Sequence, residues 1–103
     1  MKDVNWKTKE KQQLISAFLA LNNPKEVAAF LRDLMTPKEI EEFSSRLEAA
    51  RLLTENVSYL DISQKTGLSS TTIARISKWL KGPLGGYKQI LSSIHHCNPD
   101  KFR

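Results

Sequence analysis

Cysteine is almost absent from this chain: Cys97 stands alone, which excludes an internal disulfide and fits a reducing compartment. No apolar run approaches the roughly 18 residues that a membrane span needs, so no membrane partner is expected. The opening Met1-Lys2-Asp3-Val4-Asn5-Trp6 holds no apolar signal segment, and a cytoplasmic protein is expected. No stretch alternates apolar and polar residues as a half-buried strand does, and no internal repeat or low-complexity segment occurs. A catalytic set is missing as well. Gly82 to Gly86 follows a helical pattern rather than a strand and reads as a turn, not as a phosphate loop. Glu39, Glu41 and Glu42 read as first-turn acids on a solvated helix face, where the helix dipole favours them. His95-His96-Cys97 invites a metal reading, but three consecutive helical residues diverge, and no CxxC or HxxxH partner accompanies them. Neither an enzyme, a metal site nor a cofactor is expected.

What is present suffices for one small domain, residues 1–103. Apolar residues make up 40% of the chain and charged residues of both signs 26%, which argues for a core and against disorder. A chain of 103 residues buries a modest share of its surface, so association would help it. The net charge of +5 is unevenly placed. Residues 1–68 balance ten cations with ten anions, whereas residues 69–103 set Arg75, Lys78, Lys81, Lys88, Lys101 and Arg103 against Asp100 alone. A neutral body with a basic end suits a polyanion-binding surface, and a solvated basic tail accounts for the charge equally well.

Apolar spacing of three and four predicts six helices. The first spans about Thr8 to Leu21 with Leu14, Ile15, Phe18 and Leu21 on one stripe. Asn23 as N-cap and Pro24 at the first position start the second, which runs to Leu34 and buries Val27, Phe30, Leu31 and Leu34. Thr36 and Glu39 form a capping-box pattern for the third, Pro37 to about Thr54, with Ile40, Phe43, Leu47, Ala50 and Leu53 at spacings of three and four. Ser58 starts a short fourth helix that Gly67 ends. Ser69 caps the fifth, about Ser70 to Leu80, and the last runs from about Tyr87 to His95.

Between Tyr59 and Lys81 the spacing is that of a helix-turn-helix. Ile62, Leu68, Ile73 and Ile76 supply apolar residues where two helices meet; Ser63 is small at their closest approach; Gly67 accepts positive φ at the turn. The outer face then carries chemistry. Ser69, Ser70, Thr71 and Thr72 crowd a helix N-terminus, where free amides favour phosphate and small hydroxyls reach base edges. Arg75 and Lys78 lie one turn apart on one face, Lys81 follows, and Gln64 is placed to touch a phosphate across the groove. A helical hairpin used only for packing, its hydroxyls serving as caps, is the alternative account.

Leu34-Met35-Thr36-Pro37-Lys38-Glu39, Ser45-Arg46-Leu47 and the stretch ending Thr72-Ile73-Ala74-Arg75 resemble the tryptophan repressor family without gaps from about Leu34 to Lys81. Tyr87, within Lys81-Gly82-Pro83-Leu84-Gly85-Gly86-Tyr87, is similar to the YerC/YecD-type branch of that family. The resemblance implies an all-α Trp repressor-like domain, an intertwined homodimer, and two reading heads on a near-palindromic operator in double-stranded DNA. It also implies where a tryptophan corepressor would sit. Arg46 and Arg75 match the two arginines that sandwich the indole in the tryptophan repressors. Ile76, however, stands where those proteins have glycine, and Trp79 where a serine holds the ligand's amino group. Two bulky apolar side chains thus occupy the slot, Trp79 filling it from within, and a tryptophan corepressor is not expected. The expected function is that of a nucleoid-associated, sequence-specific transcriptional regulator, a repressor. A helix-turn-helix scaffold reused for protein–protein interaction is the alternative.

Overall fold

A computed structural model describes residues 4–96, the side chains of His95 and His96 excepted. Among the described residues the chain is all-α: α1 (Lys9–Leu19), α2 (Pro24–Leu34), α3 (Pro37–Thr54), α4 (Tyr59–Thr66), α5 (Ser70–Leu80) and α6 (Gly86–His96), with no strand. Two compact units divide it, the first ending at Thr36 and the second beginning at Pro37. No described helix is long and apolar enough to cross a membrane.

In the first unit, side chains that satisfy free amides define the helix ends. The Thr8 hydroxyl accepts from the Lys11 amide at 3.3 Å, and Asn23 Oδ1 accepts from the Glu26 amide at 2.9 Å. Glu26 reaches back to accept from the Asn22 amide at 3.0 Å, which closes the α1–α2 turn reciprocally. That capture explains why α1 stops at Leu19 rather than at Leu21: the Leu21 amide has tightened to an i−3 bond with Phe18, and the next amide is held by Glu26. Phe18 and Phe30 meet edge to face with centroids 5.5 Å apart. Neither helix buries any residue fully. Leu14, Ile15, Phe18 and Leu34, expected inside, are exposed on the single chain.

The second unit holds the core. Ala49, Ala50 and Leu52 of α3, Ile62 of α4, and Ile73 and Ile76 of α5 are buried together, with Leu53, Val57, Leu68, Tyr87 and Leu91 packed around them. Two fully buried isoleucines, Ile62 and Ile73, contribute about 1.5–3 kcal/mol each through burial. On α3 the expected stripe holds in part: Ala50 is buried and Leu53 packs against the core. The buried face of the helix is Ala49–Ala50–Leu52, where small alanines let α4 and α5 approach, whereas Phe43 and Leu47 are exposed. Asn56, in the left-handed region at φ 61, turns the chain out of α3, and the Val57 amide closes on the Leu52 carbonyl at 3.2 Å. α6 begins one residue earlier than expected, the Gln89 amide donating to Gly85 at 2.9 Å.

Candidate nucleic-acid interface

Helix α4, the turn and α5 form a helical corner around Ile62 and Ile73. Ser58 caps α4 by accepting from the Asp61 amide at 3.1 Å. Gly67 ends it with φ 79, and its amide donates to the Ser63 carbonyl at 2.8 Å. Ser63 is half-buried at the close approach, as expected of a small residue, and its hydroxyl also donates to the Leu68 carbonyl at 2.7 Å. Thr66 adds two further bonds: its hydroxyl donates to the Ile62 carbonyl at 2.7 Å and accepts from the Leu68 amide at 3.2 Å. Neither the forward bond of Ser63 nor the part played by Thr66 follows from the size of Ser63, the one property expected of it. The signal available was two hydroxyls flanking a glycine turn.

The four hydroxyls at the start of α5 divide by task. Ser69 caps the helix by accepting from the Thr72 amide at 3.2 Å, and the Ser69 and Thr72 hydroxyls bond each other at 3.0 Å. Ser70 and Thr71 are exposed and have no side-chain partner among the described residues. Beyond them Ile73, Ile76 and Ser77 turn inward, while Arg75 and Lys78 are exposed on the opposite side, followed by exposed Lys81 at the C-cap. Gln64 is exposed on α4. Among the described residues none of Gln64, Arg75, Lys78 and Lys81 makes a side-chain hydrogen bond or ion pair.

The arginines of α3 contrast with these cations. Arg51 chelates Glu48 at 2.7 Å and 2.9 Å and also meets Glu55. The hydrogen bond from Arg51 holds the Glu48 carboxyl below its ordinary range, and the same bond raises Arg51. Arg46 pairs with Glu42 at 2.8 Å and lies over the Phe43 ring at 5.9 Å from its centroid. A cation whose charge is already matched gains little from a phosphate, so Arg75 and Lys78 of α5, which have no ion pair among the described residues, are better placed to meet one than Arg46 or Arg51.

The residues expected around an effector are arranged differently from one another. Ile76 is 4% exposed and part of the core. Trp79 is 52% exposed on the single chain. Arg46 keeps its buried Nε without a partner among the described residues. Burial pushes the Tyr87 phenol up, and the charge of Arg46 opposes that shift, which sets the two side chains in one electrostatic neighbourhood. Cys97 and the side chains of His95 and His96 lie outside the described residues.

The chain is similar to known proteins in sequence and in fold. The family model described as Trp repressor protein matches residues 9–95. The uncharacterized protein YerC of Bacillus subtilis is 36% identical over 86 residues, covering 84% of this chain and 83% of that protein. A crystal structure of a TrpR-like protein from Eubacterium eligens superposes with a TM-score of 0.82 at 35% identity, over 90% of this chain and 96% of the other.

Proposed function

The chain belongs to the Trp repressor family, and from that premise we propose that it is a sequence-specific transcriptional regulator, a repressor, which reads the major groove of double-stranded DNA as a homodimer. The observation that carries the proposal is the outer face of α5, where Ser70, Thr71, Arg75 and Lys78 stand exposed around a helix start held by buried isoleucines. Hydroxyls and free amides at the helix N-terminus suit phosphate, and the arginine suits a base edge. Ser69 and Thr72 contribute through the cap, and Gln64 and Lys81 add backbone contacts at either end. A two-fold dimer would set two such helices about 34 Å apart on a near-palindromic operator. The role is one of binding without catalysis, in the cytoplasm at the nucleoid.

Tryptophan plays no part in this proposal. Where the tryptophan repressors leave room beside glycine, Ile76 is packed into the core, and opening that space would cost the burial of a whole isoleucine side chain. Isothermal calorimetry with L-tryptophan is expected to give no binding heat; micromolar affinity would overturn this part.

Selection from a random duplex pool tests the main reading, with a palindrome as the expected product. Affinity for that palindrome should fall on the order of a hundredfold between roughly 50 and 200 mM salt, as several phosphate contacts require. A flat salt response with no preferred sequence would instead favour a protein-interaction role for the helix-turn-helix.

A further inference from the structure

We propose that Ser63 and Thr66 are positioning residues for DNA reading, a hydroxyl latch that sets the direction in which α5 leaves the turn. The proposal rests on the DNA-binding reading above. Leu68 is the one residue between the left-handed Gly67 and the N-cap Ser69, and both of its polar backbone groups are held by side chains of α4. Its amide donates to the Thr66 hydroxyl at 3.2 Å, and its carbonyl accepts from the Ser63 hydroxyl at 2.7 Å. Thr66 is itself anchored on the Ile62 carbonyl at 2.7 Å.

A threonine bonding back to the carbonyl four residues earlier is ordinary helix behaviour. Ser63 is different: its bond runs forward five residues, across the turn, to the peptide that enters the cap. Apolar packing of Ile62 on Ile73 resists separation of the helices but directs them weakly, because the hydrophobic effect is not directional. The two hydroxyls add the directional restraint. Its lever arm is long. At 1.5 Å rise per residue, Arg75 lies about 9 Å along α5 from Ser69, so a swing of about 10° at Leu68 moves it by about 1.6 Å. A base-edge hydrogen bond keeps its strength over a few tenths of an ångström. The latch therefore acts on sequence reading more than on phosphate attraction.

The test compares the intact chain with Ser63→Ala and Thr66→Val, each measured on the selected palindrome and on random duplex. Ser63→Ala is expected to lose roughly fivefold to tenfold in affinity for the palindrome, the worth of one directional hydrogen bond. Affinity for random duplex and the salt slope should stay as in the wild type, while amide exchange at Ser69 to Thr72 speeds up. An unchanged ratio of specific to random binding in Ser63→Ala, with only a lowered melting temperature, would overturn the latch and leave the DNA reading standing. A wild type with no preferred sequence would overturn the DNA reading and the latch with it. If Ser63→Ala fails to fold, Thr66→Val carries the same comparison through the Leu68 amide alone.

Discussion

At the scale of single residues, the decisive property of the candidate interface is which charges are already spent. Arg46 and Arg51 are engaged with Glu42, Glu48 and Glu55, and the raised Arg51 and lowered Glu48 record that pairing. Arg75 and Lys78 have no such partners among the described residues, and they differ in chemistry. A planar guanidinium forms two parallel hydrogen bonds to a guanine edge, whereas an ammonium acts as a point charge. Arg75→Ala should therefore cost about 1–3 kcal/mol on the preferred operator and relax base choice at one position per half-site. Lys78→Ala should weaken all sequences alike and reduce the salt slope by about one. Binding measured across an operator variant series at two salt concentrations separates these outcomes, and an equal loss of base preference in both variants would contradict the assignment. That Arg75 and Lys78 share an exposed face was legible in the sequence, since spacing alone sets them away from Ile73 and Ile76. The division among the hydroxyls was not. Ser69 and Thr72 bond each other, a choice fixed by side-chain rotamers that residue type does not reveal.

At the scale of elements, caps and turns decide where helices begin and end, and the turn at Gly67 carries the most weight. A Cβ added there would meet nothing within 4 Å, so any substitution cost is conformational rather than steric. With φ 79, Gly67→Ala should lose about 1–2 kcal/mol, the penalty of a left-handed L-residue. Gly67→Asn should lose less, since asparagine already serves in that region at Asn56. Chemical denaturation of the three proteins checks the order. The bounds of α2, α3 and α5 were readable because their punctuation is local: Pro24 after Asn23, Pro37 after Thr36, Ser69 before a helical run. The end of α1 was missed because it depends on the Glu26 carboxylate, which reaches back from the next helix. The apolar stripe of α3 was legible only in part, since Ala50 and Leu53 pack inward and Phe43 and Leu47 do not. A long helix with apolar residues on two sides, Ala49 and Leu52 on one and Phe43 and Leu47 on another, does not declare which side its own chain covers.

At the scale of the whole molecule, that second side of α3 becomes the main clue to assembly. Leu14, Ile15 and Phe18 of α1, Leu34 of α2, and Phe43 and Leu47 of α3 are all exposed on the single chain, and α1 and α2 bury nothing fully. A chain of 103 residues that leaves so many large apolar side chains in water gives up much of its available hydrophobic stabilisation. The proposed homodimer recovers it, and it makes stability depend on concentration by mass action. The melting temperature should therefore rise measurably over a hundredfold increase in protein concentration. Leu47→Glu gives the sharper test. On a monomer, Leu47 is already 36% exposed, so a glutamate there would be tolerated at little cost. Inside a dimer interface the same carboxylate would be buried without a partner, at a cost of several kcal/mol. Sedimentation should then show the variant dissociated, with a melting temperature both lower and independent of concentration. A variant that melts and sediments like the wild type would mean that this face of α3 meets water in solution.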